Sequence, residues 1–183
     1  GESILAQMEE AAGKGVHLLA LPELCVTGYT CGDLFLQQTL LDGAVKAISK
    51  LVQESARFPG LVTVVGAPLI VGGKLYNCGV VIHGGRALGC VPKANLPNYN
   101  EFYEKRHFSE PPDENSVFNG LGEPVPFGKK LLFACQNVPD FVFGVEMCED
   151  LWVPAPPSAD LALAGATVLV NCSASDQTIG KSE

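Results

Sequence analysis

Two apolar spacings alternate along the first 60 residues. Ile4, Leu5, Met8, Ala11 and Ala12 recur at helical intervals over residues 2–12, and Gly13 with Gly15 supplies a stop. Residues 16–21 (VHLLAL) are almost continuously apolar, the pattern of a strand covered on both faces, and the run ends at Pro22-Glu23. A longer stripe, Leu40, Leu41, Ala44, Val45, Ile48, Leu51 and Val52, predicts a second helix over about residues 37–57, closed by Pro59-Gly60.

From Leu61 the period changes. LVTVVGAPLIV, YNCGVVIH and RALGCVPK read as three strands, and the Gly72-Gly73 and Gly84-Gly85 pairs between them suit tight turns with positive φ, hence an antiparallel meander. Residues 94–126 are polar, aromatic and proline-bearing, with too little apolar periodicity for a helix or strand. A loop of that length in a compact domain is usually functional. The chain then predicts a strand in KKLLFACQ, a strand in FVFGVEM leading into Cys148, a corner at Pro154, Pro156 and Pro157, a helix over residues 158–164 with Ser158 as its cap, and a strand over residues 167–171. With no internal repeat and no linker, one α/β domain results, a sheet of mixed direction flanked by helices.

Composition narrows the function. The 183 residues are 47% hydrophobic, a globular composition, and 20 acidic against 12 basic residues give a formal charge of -8. No lysine or arginine cluster offers a face for phosphates, which argues against nucleic acid. The longest apolar runs, such as residues 161–170, fall well short of the ~20 residues of a membrane helix. No signal peptide opens the chain, and the first residues already carry a helical pattern, so the natural N-terminus is expected further upstream. Seven cysteines without C-x-x-C pairs argue against a disulfide framework or a structural zinc site and predict a reducing, cytoplasmic setting. His17, His83 and His107 stand alone and read as ordinary strand or loop histidines.

Three polar residues follow apolar runs directly: Glu23 after VHLLALP, Lys93 after RALGCVP and Cys148 after FVFGVEM. Strand ends on one edge of an α/β sheet converge, and sites form there. A thiol with a free pKa near ~8.5 is mostly protonated at neutral pH, so it needs a base such as Glu23 as it attacks. Attack on a carboxamide makes an oxyanion that a fixed cation such as Lys93 can hold. Such a set cleaves C–N bonds without a metal.

LALPELCVTGY around Glu23, GCVPKANLPNYNEFYE around Lys93 and FGVEMCEDLW around Cys148 resemble the signature segments of the nitrilase, or carbon-nitrogen hydrolase, superfamily. More narrowly, NYNEFYEKRHF and WVPAPPSADLALAGATVLVNCSASDQTIGK resemble the glutaminase domain of bacterial glutamine-dependent NAD synthetase. The resemblance implies a nitrilase-like α-β-β-α sandwich, incomplete here at both ends, with Glu23 as general base, Lys93 as oxyanion stabiliser and Cys148 as nucleophile. It implies that Tyr99, Ser175 and Lys181 bind L-glutamine, and that Tyr29, Phe102 and Glu149 line the pocket. Lys181 departs from the family pattern, where arginine is usual, and offers a point charge in place of a fork. The resemblance further implies a homo-oligomer and a synthetase domain of the same polypeptide that uses ATP and magnesium. Neither S-G-G-x-D-S nor G-x-x-x-x-G-K-[ST] occurs in these residues, so that domain is expected outside them, and no cofactor is expected for glutamine hydrolysis itself.

Three other readings compete. A free-standing amidase or carbamoylase would use the same three residues on another small amide. A non-catalytic interaction module would have no need of all three. A histidine-dependent thiol hydrolase lacks a histidine at a strand end. The Asn171-Cys172-Ser173 triplet matches a glycosylation sequon, but a strand end in a thiol-rich chain is a poor acceptor.

Overall fold

A computed structural model describes residues 1–175 and 179–180. In chain order the elements are α1 (Glu2–Gly13), β1 (Leu18–Ala20), α2 (Gln38–Ser55), β2 (Val62–Val71), β3 (Lys74–His83), β4 (Arg86–Pro92), β5 (Ser116–Leu121), β6 (Glu123–Phe127), β7 (Leu132–Ala134), β8 (Val142–Met147), α3 (Pro157–Leu163) and β9 (Val168–Cys172). Short 3-10 helices cover Tyr29–Leu36, Glu104–Arg106 and Cys148–Trp152.

The strands form two sheets where the apolar pattern alone predicted one, as the α-β-β-α sandwich implied by the resemblance requires. The larger has the order β1-β2-β3-β4-β6-β5 and the smaller β7-β8-β9. Strand alternation decides what each face meets. Val65, Ala67 and Leu69 on β2 and Val80 and Ile82 on β3 pack on Ile4, Met8, Ile48 and Leu51 of α1 and α2. Val64, Val81 and Val91 face the other way, onto Phe133, Phe143, Val145, Met147 and Val170 of the smaller sheet. On the far side of that sheet, a Cβ on Gly144 would lie 2.8 Å from Leu161 Cδ1, so α3 sits directly on β8. The layers are therefore α-β-β-α. Each fully buried aliphatic side chain, such as Ile48 or Leu51, contributes about 1.5–3 kcal/mol to holding them together.

Several predicted elements need revision. The run at residues 16–21 forms only the short edge strand Leu18–Ala20, paired with β2 alone, and Ala20 is exposed. Residues 94–126 are not one loop: they hold the 3-10 helix Glu104–Arg106, β5 and most of β6. There Phe118 stands opposite Val125, both buried, while Pro124 and Pro126 break the usual strand signature. Those prolines are tolerated because β6 meets β4 through a single residue pair, so few ladder bonds need their missing N–H. Ser158 lies inside α3 and does not cap it. The helix begins at Pro157, whose fixed φ suits a first helical position, and the Ser158 N–H is satisfied by Glu146 Oε2 at 3.0 Å. No helix among the described residues is long and apolar enough to cross a membrane.

Candidate active site

Strand direction brings the three chain segments together. β1 runs parallel to β2, and β3 is antiparallel to both β2 and β4, so β1 and β4 end on the same edge of the larger sheet. Glu23 lies just beyond β1 and Lys93 directly beyond β4, and β8 delivers Cys148 from the smaller sheet. Glu23 and Lys93 are each only 1% exposed.

The Lys93 ammonium donates to Glu23 Oε1 at 2.7 Å and to Glu104 Oε1 at 2.6 Å. Glu104 was not singled out from sequence. It is 4% exposed, sits on the 3-10 helix Glu104–Arg106, and also accepts the Tyr29 hydroxyl at 2.8 Å. Asn77 of β3 donates its side-chain amide to Glu23 Oε1 at 2.7 Å, and its backbone carbonyl accepts the Lys93 N–H at 2.8 Å. The Ala174 N–H reaches Glu23 Oε2 at 3.2 Å, while the Ala174 carbonyl lies 3.9 Å from the Cys148 sulfur. The segment after β9 thus touches acid and thiol together.

Cys148 is half-buried at the start of a 3-10 helix and has a φ of 45°, a left-handed conformation rare for a residue with a side chain. Such a conformation costs about 1–3 kcal/mol and persists only where the surroundings impose it. Here the Cys148 carbonyl accepts the Asn171 side-chain amide at 3.2 Å, and the same amide reaches Glu146 Oε1 at 3.2 Å.

Charge explains the protonation pattern. Glu23, Glu104 and Lys93 together leave the buried cluster one negative charge in excess when all are ionised. Burial alone would lower the Lys93 pKa, but the fields of Glu23 and Glu104 outweigh it and hold the ammonium above its ordinary value. Burial pushes the Glu104 carboxyl up, against the pull of Lys93. Burial also pushes the Cys148 thiol up, and the Glu23 charge adds to the rise while Lys93 opposes it. Tyr29 is held protonated by burial and by the neighbouring Glu104 charge.

The remaining sequence-selected residues distribute as follows. Tyr99 is half exposed, and its hydroxyl donates to Glu149 Oε2 at 2.8 Å. Phe102 packs edge-on against both Tyr29 and Tyr99, with ring centroids 6.3 and 5.9 Å apart. Ser175 is exposed one residue beyond Ala174. Lys181 lies outside the described residues. The histidines are engaged elsewhere: His17 with the Gly60 carbonyl, His83 with the Leu61 carbonyl and His107 with Asp33. The seven cysteines are all free, and the sequon residue Asn171 is the one that holds the Cys148 turn.

The sequence model of the carbon-nitrogen hydrolase family matches residues 2–183. The chain belongs to that family. It is 48% identical over 181 residues to the glutamine-dependent NAD(+) synthetase of Mycobacterium tuberculosis, covering 99% of this chain and 26% of that protein. It is 33% identical over 180 residues to the protein of the same name from Aquifex aeolicus, covering 98% and 28%. The crystal structure of a glutamine-dependent NAD(+) synthetase from Cytophaga hutchinsonii superposes with a TM-score of 0.82 at 33% identity, covering 99% of this chain and 28% of that one. An amidase from Nesterenkonia sp. superposes with a TM-score of 0.69 at 18% identity, a likeness of fold. The chain spans about a quarter of the length of the synthetases it matches.

Three polar residues that structure this hydrolase site gave no usable signal in sequence. Glu104 lies in an aperiodic segment, Asn77 inside an apolar strand run, and Asp150 reads as one more acidic neighbour of Cys148. The only hint was position: Glu104 falls within the NYNEFYEKRHF segment.

Proposed function

We propose that this domain is the glutaminase part of a glutamine-dependent NAD synthetase, hydrolysing L-glutamine to glutamate and ammonia. The observation that carries the reading is the buried Glu23–Lys93 pair, 2.7 Å apart, beside the Cys148 thiol, whose sulfur lies 3.9 Å from the carbonyl of Ala174, the residue that donates its N–H to the same Glu23 carboxylate. In this scheme Glu23 takes the Cys148 proton as sulfur attacks the amide carbon. Lys93 stabilises the oxyanion in a site shielded from water. Collapse breaks the C–N bond, and the proton on Glu23 passes to the departing ammonia, leaving a thioester. Glu23 then draws a proton from water, which attacks the thioester and releases glutamate and the free thiol. Glu104 keeps Lys93 charged and in place throughout.

Tyr99, Ser175 and Lys181 are proposed to bind the glutamine substrate, with Tyr29, Phe102 and Glu149 lining the pocket; a carboxylate suits the ammonium of the α-amino acid end, and a hydroxyl or lysine ammonium suits its carboxylate. The ammonia would feed an ATP- and magnesium-dependent domain making NAD from deamido-NAD, in the cytoplasm and in an oligomeric assembly. No step of that second reaction is assigned to the residues described here. In the intact polypeptide, Cys148→Ala is expected to abolish glutamine hydrolysis and glutamine-dependent NAD formation while leaving synthesis from added ammonium. Loss of both, or equal turnover of glutamine and simple aliphatic amides by the parent, would overturn the assignment.

A further inference from the structure

Asp150 is a buried carboxylate, 1% exposed, that the scheme above does not use. Its two oxygens take four N–H donors from two different parts of the fold. Oδ1 accepts the Asn95 backbone N–H at 2.7 Å and the Asn95 side-chain amide at 2.9 Å. Oδ2 accepts the Ala94 N–H at 3.3 Å and the Met147 N–H at 3.0 Å. Met147 immediately precedes Cys148, and Ala94 immediately follows Lys93. One side chain therefore ties the turn carrying the thiol, in one sheet, to the strand end carrying the ammonium, in the other. The Met147 bond is also the side-chain half of a capping interaction at the first turn of the Cys148–Trp152 helix, where Cys148 adopts its φ of 45°.

We propose that Asp150 is a positioning residue that sets the separation of Cys148 from Lys93, an inference that rests on the hydrolase reading of this site. Packing between the sheets alone does not fix that separation. The interlayer contacts are apolar and non-directional, whereas four charge-assisted bonds to backbone and amide hydrogens define both distance and angle. Burial pushes the Asp150 carboxyl up while its four donors pull it down, and donors on both oxygens leave the ionised form as the one that fits. An uncharged side chain of the same size must turn an NH2 group toward one pair of those donors. That repulsion opens the gap between the two segments.

The test uses the intact polypeptide with glutamine as substrate and iodoacetamide as a probe of Cys148, the labelled residue being identified by mass spectrometry. Asp150→Asn is expected to lower kcat about 100-fold, the scale of a misplacement near 1 Å. KM should stay within about threefold, because of the residues proposed for the glutamine pocket only Glu149 lies on the turn that Asp150 caps. The iodoacetamide rate at Cys148 should change with kcat, since the thiol moves relative to Lys93. The exchange of Asn95→Asp together with Asp150→Asn restores an amide–carboxylate pair across the gap and is expected to recover about tenfold of the lost kcat. If Asp150→Asn does not fold, Asn95→Ala, which removes only the side-chain bond, is expected to show the same split at about three- to tenfold. A drop in melting temperature with kcat, KM and thiol labelling all unchanged would overturn the proposal. Should the parent hydrolyse no amide, the enzymatic reading fails by itself; the labelling rate still decides whether Asp150 sets the position of the thiol.

Discussion

A Cβ on Gly66 would fall 2.3 Å from the backbone nitrogen of Leu24. It would also lie 2.6 Å from the Pro22 carbonyl oxygen and 2.8 Å from the Glu23 carbonyl carbon, all main-chain atoms that cannot rotate aside. The turn that carries Glu23 is thus folded down onto β2 at the one position where the strand has no side chain, and the Val26 N–H fastens it to the Gly66 carbonyl at 3.1 Å. Gly66→Ala must lift that turn. Overpacking of this kind costs about 1–3 kcal/mol, and a shift of Glu23 by even 1 Å is worth about 100-fold in rate. Calorimetry should show a melting point lowered by several degrees, and amide turnover should fall far more than that loss explains; unchanged turnover would mean the turn does not place the acid.

Glu23 affects the Cys148 thiol in two opposite ways, which separate when the carboxylate is neutralised. Its charge helps hold the thiol protonated, and in the proposed mechanism it takes the proton during attack. Glu23→Gln is therefore expected to lower the thiol pKa towards its ordinary value, so iodoacetamide should label Cys148 faster at neutral pH than in the parent. Amide hydrolysis should drop by at least about 100-fold, the usual contribution of a general base. Slower labelling together with lost turnover would show that the carboxylate acts mainly by holding the local structure.

The balance between what could be read in sequence and what could not follows from how each residue is placed. Glu23, Lys93 and Cys148 were legible because each ends an apolar run, and strand ends of like direction meet at one edge. Asn77, Glu104 and Asp150 were not, because each reaches the site by a tertiary contact that leaves its local pattern unmarked: one lies mid-strand, one in an aperiodic segment, one on a turn already rich in acids. The division into two sheets was hidden for a similar reason. β2 and β8 are both apolar on two faces, and nothing in either run says that Val64 meets Val145 across a layer boundary while Val65 meets α2. The β5–β6 hairpin was missed because prolines sit where alternating apolar residues were sought. Lys181 remains an expectation from resemblance, outside the described residues.

Gly43 offers a contrast to Gly66. It lies inside α2, where a Cβ would meet nothing within 4 Å. Its only effect there is to add backbone freedom to the unfolded chain and to weaken the helix, a cost of about 0.5–1 kcal/mol relative to alanine. Gly43→Ala should raise the melting temperature by a few degrees without altering kcat or KM. A lower melting temperature would show that this face of α2 is covered in the assembled protein.

Glu104 is expected to set the alkaline limit. In the proposed mechanism Lys93 needs its charge to hold an oxyanion, and the fields of Glu23 and Glu104 keep its pKa above the ordinary lysine value against the opposing effect of burial. A raised folded-state pKa contributes stability that is fully present below the unfolded lysine value, near ~10.4, and is lost as pH rises through the higher folded value. The parent should thus keep both activity and this part of its stability to strongly alkaline pH. In Glu104→Gln only Glu23 faces the ammonium, so burial is less opposed and the Lys93 pKa falls. The alkaline limb of kcat/KM should move to lower pH, into the range that can be followed directly, and alkaline unfolding should begin earlier by the same displacement. Removing one partner of a buried pair also costs about 3–5 kcal/mol, so the comparison belongs at a temperature where both proteins are folded. An unshifted alkaline limb would show that Glu104 does not set the charge on Lys93, and would leave its contact with Tyr29 as its main role.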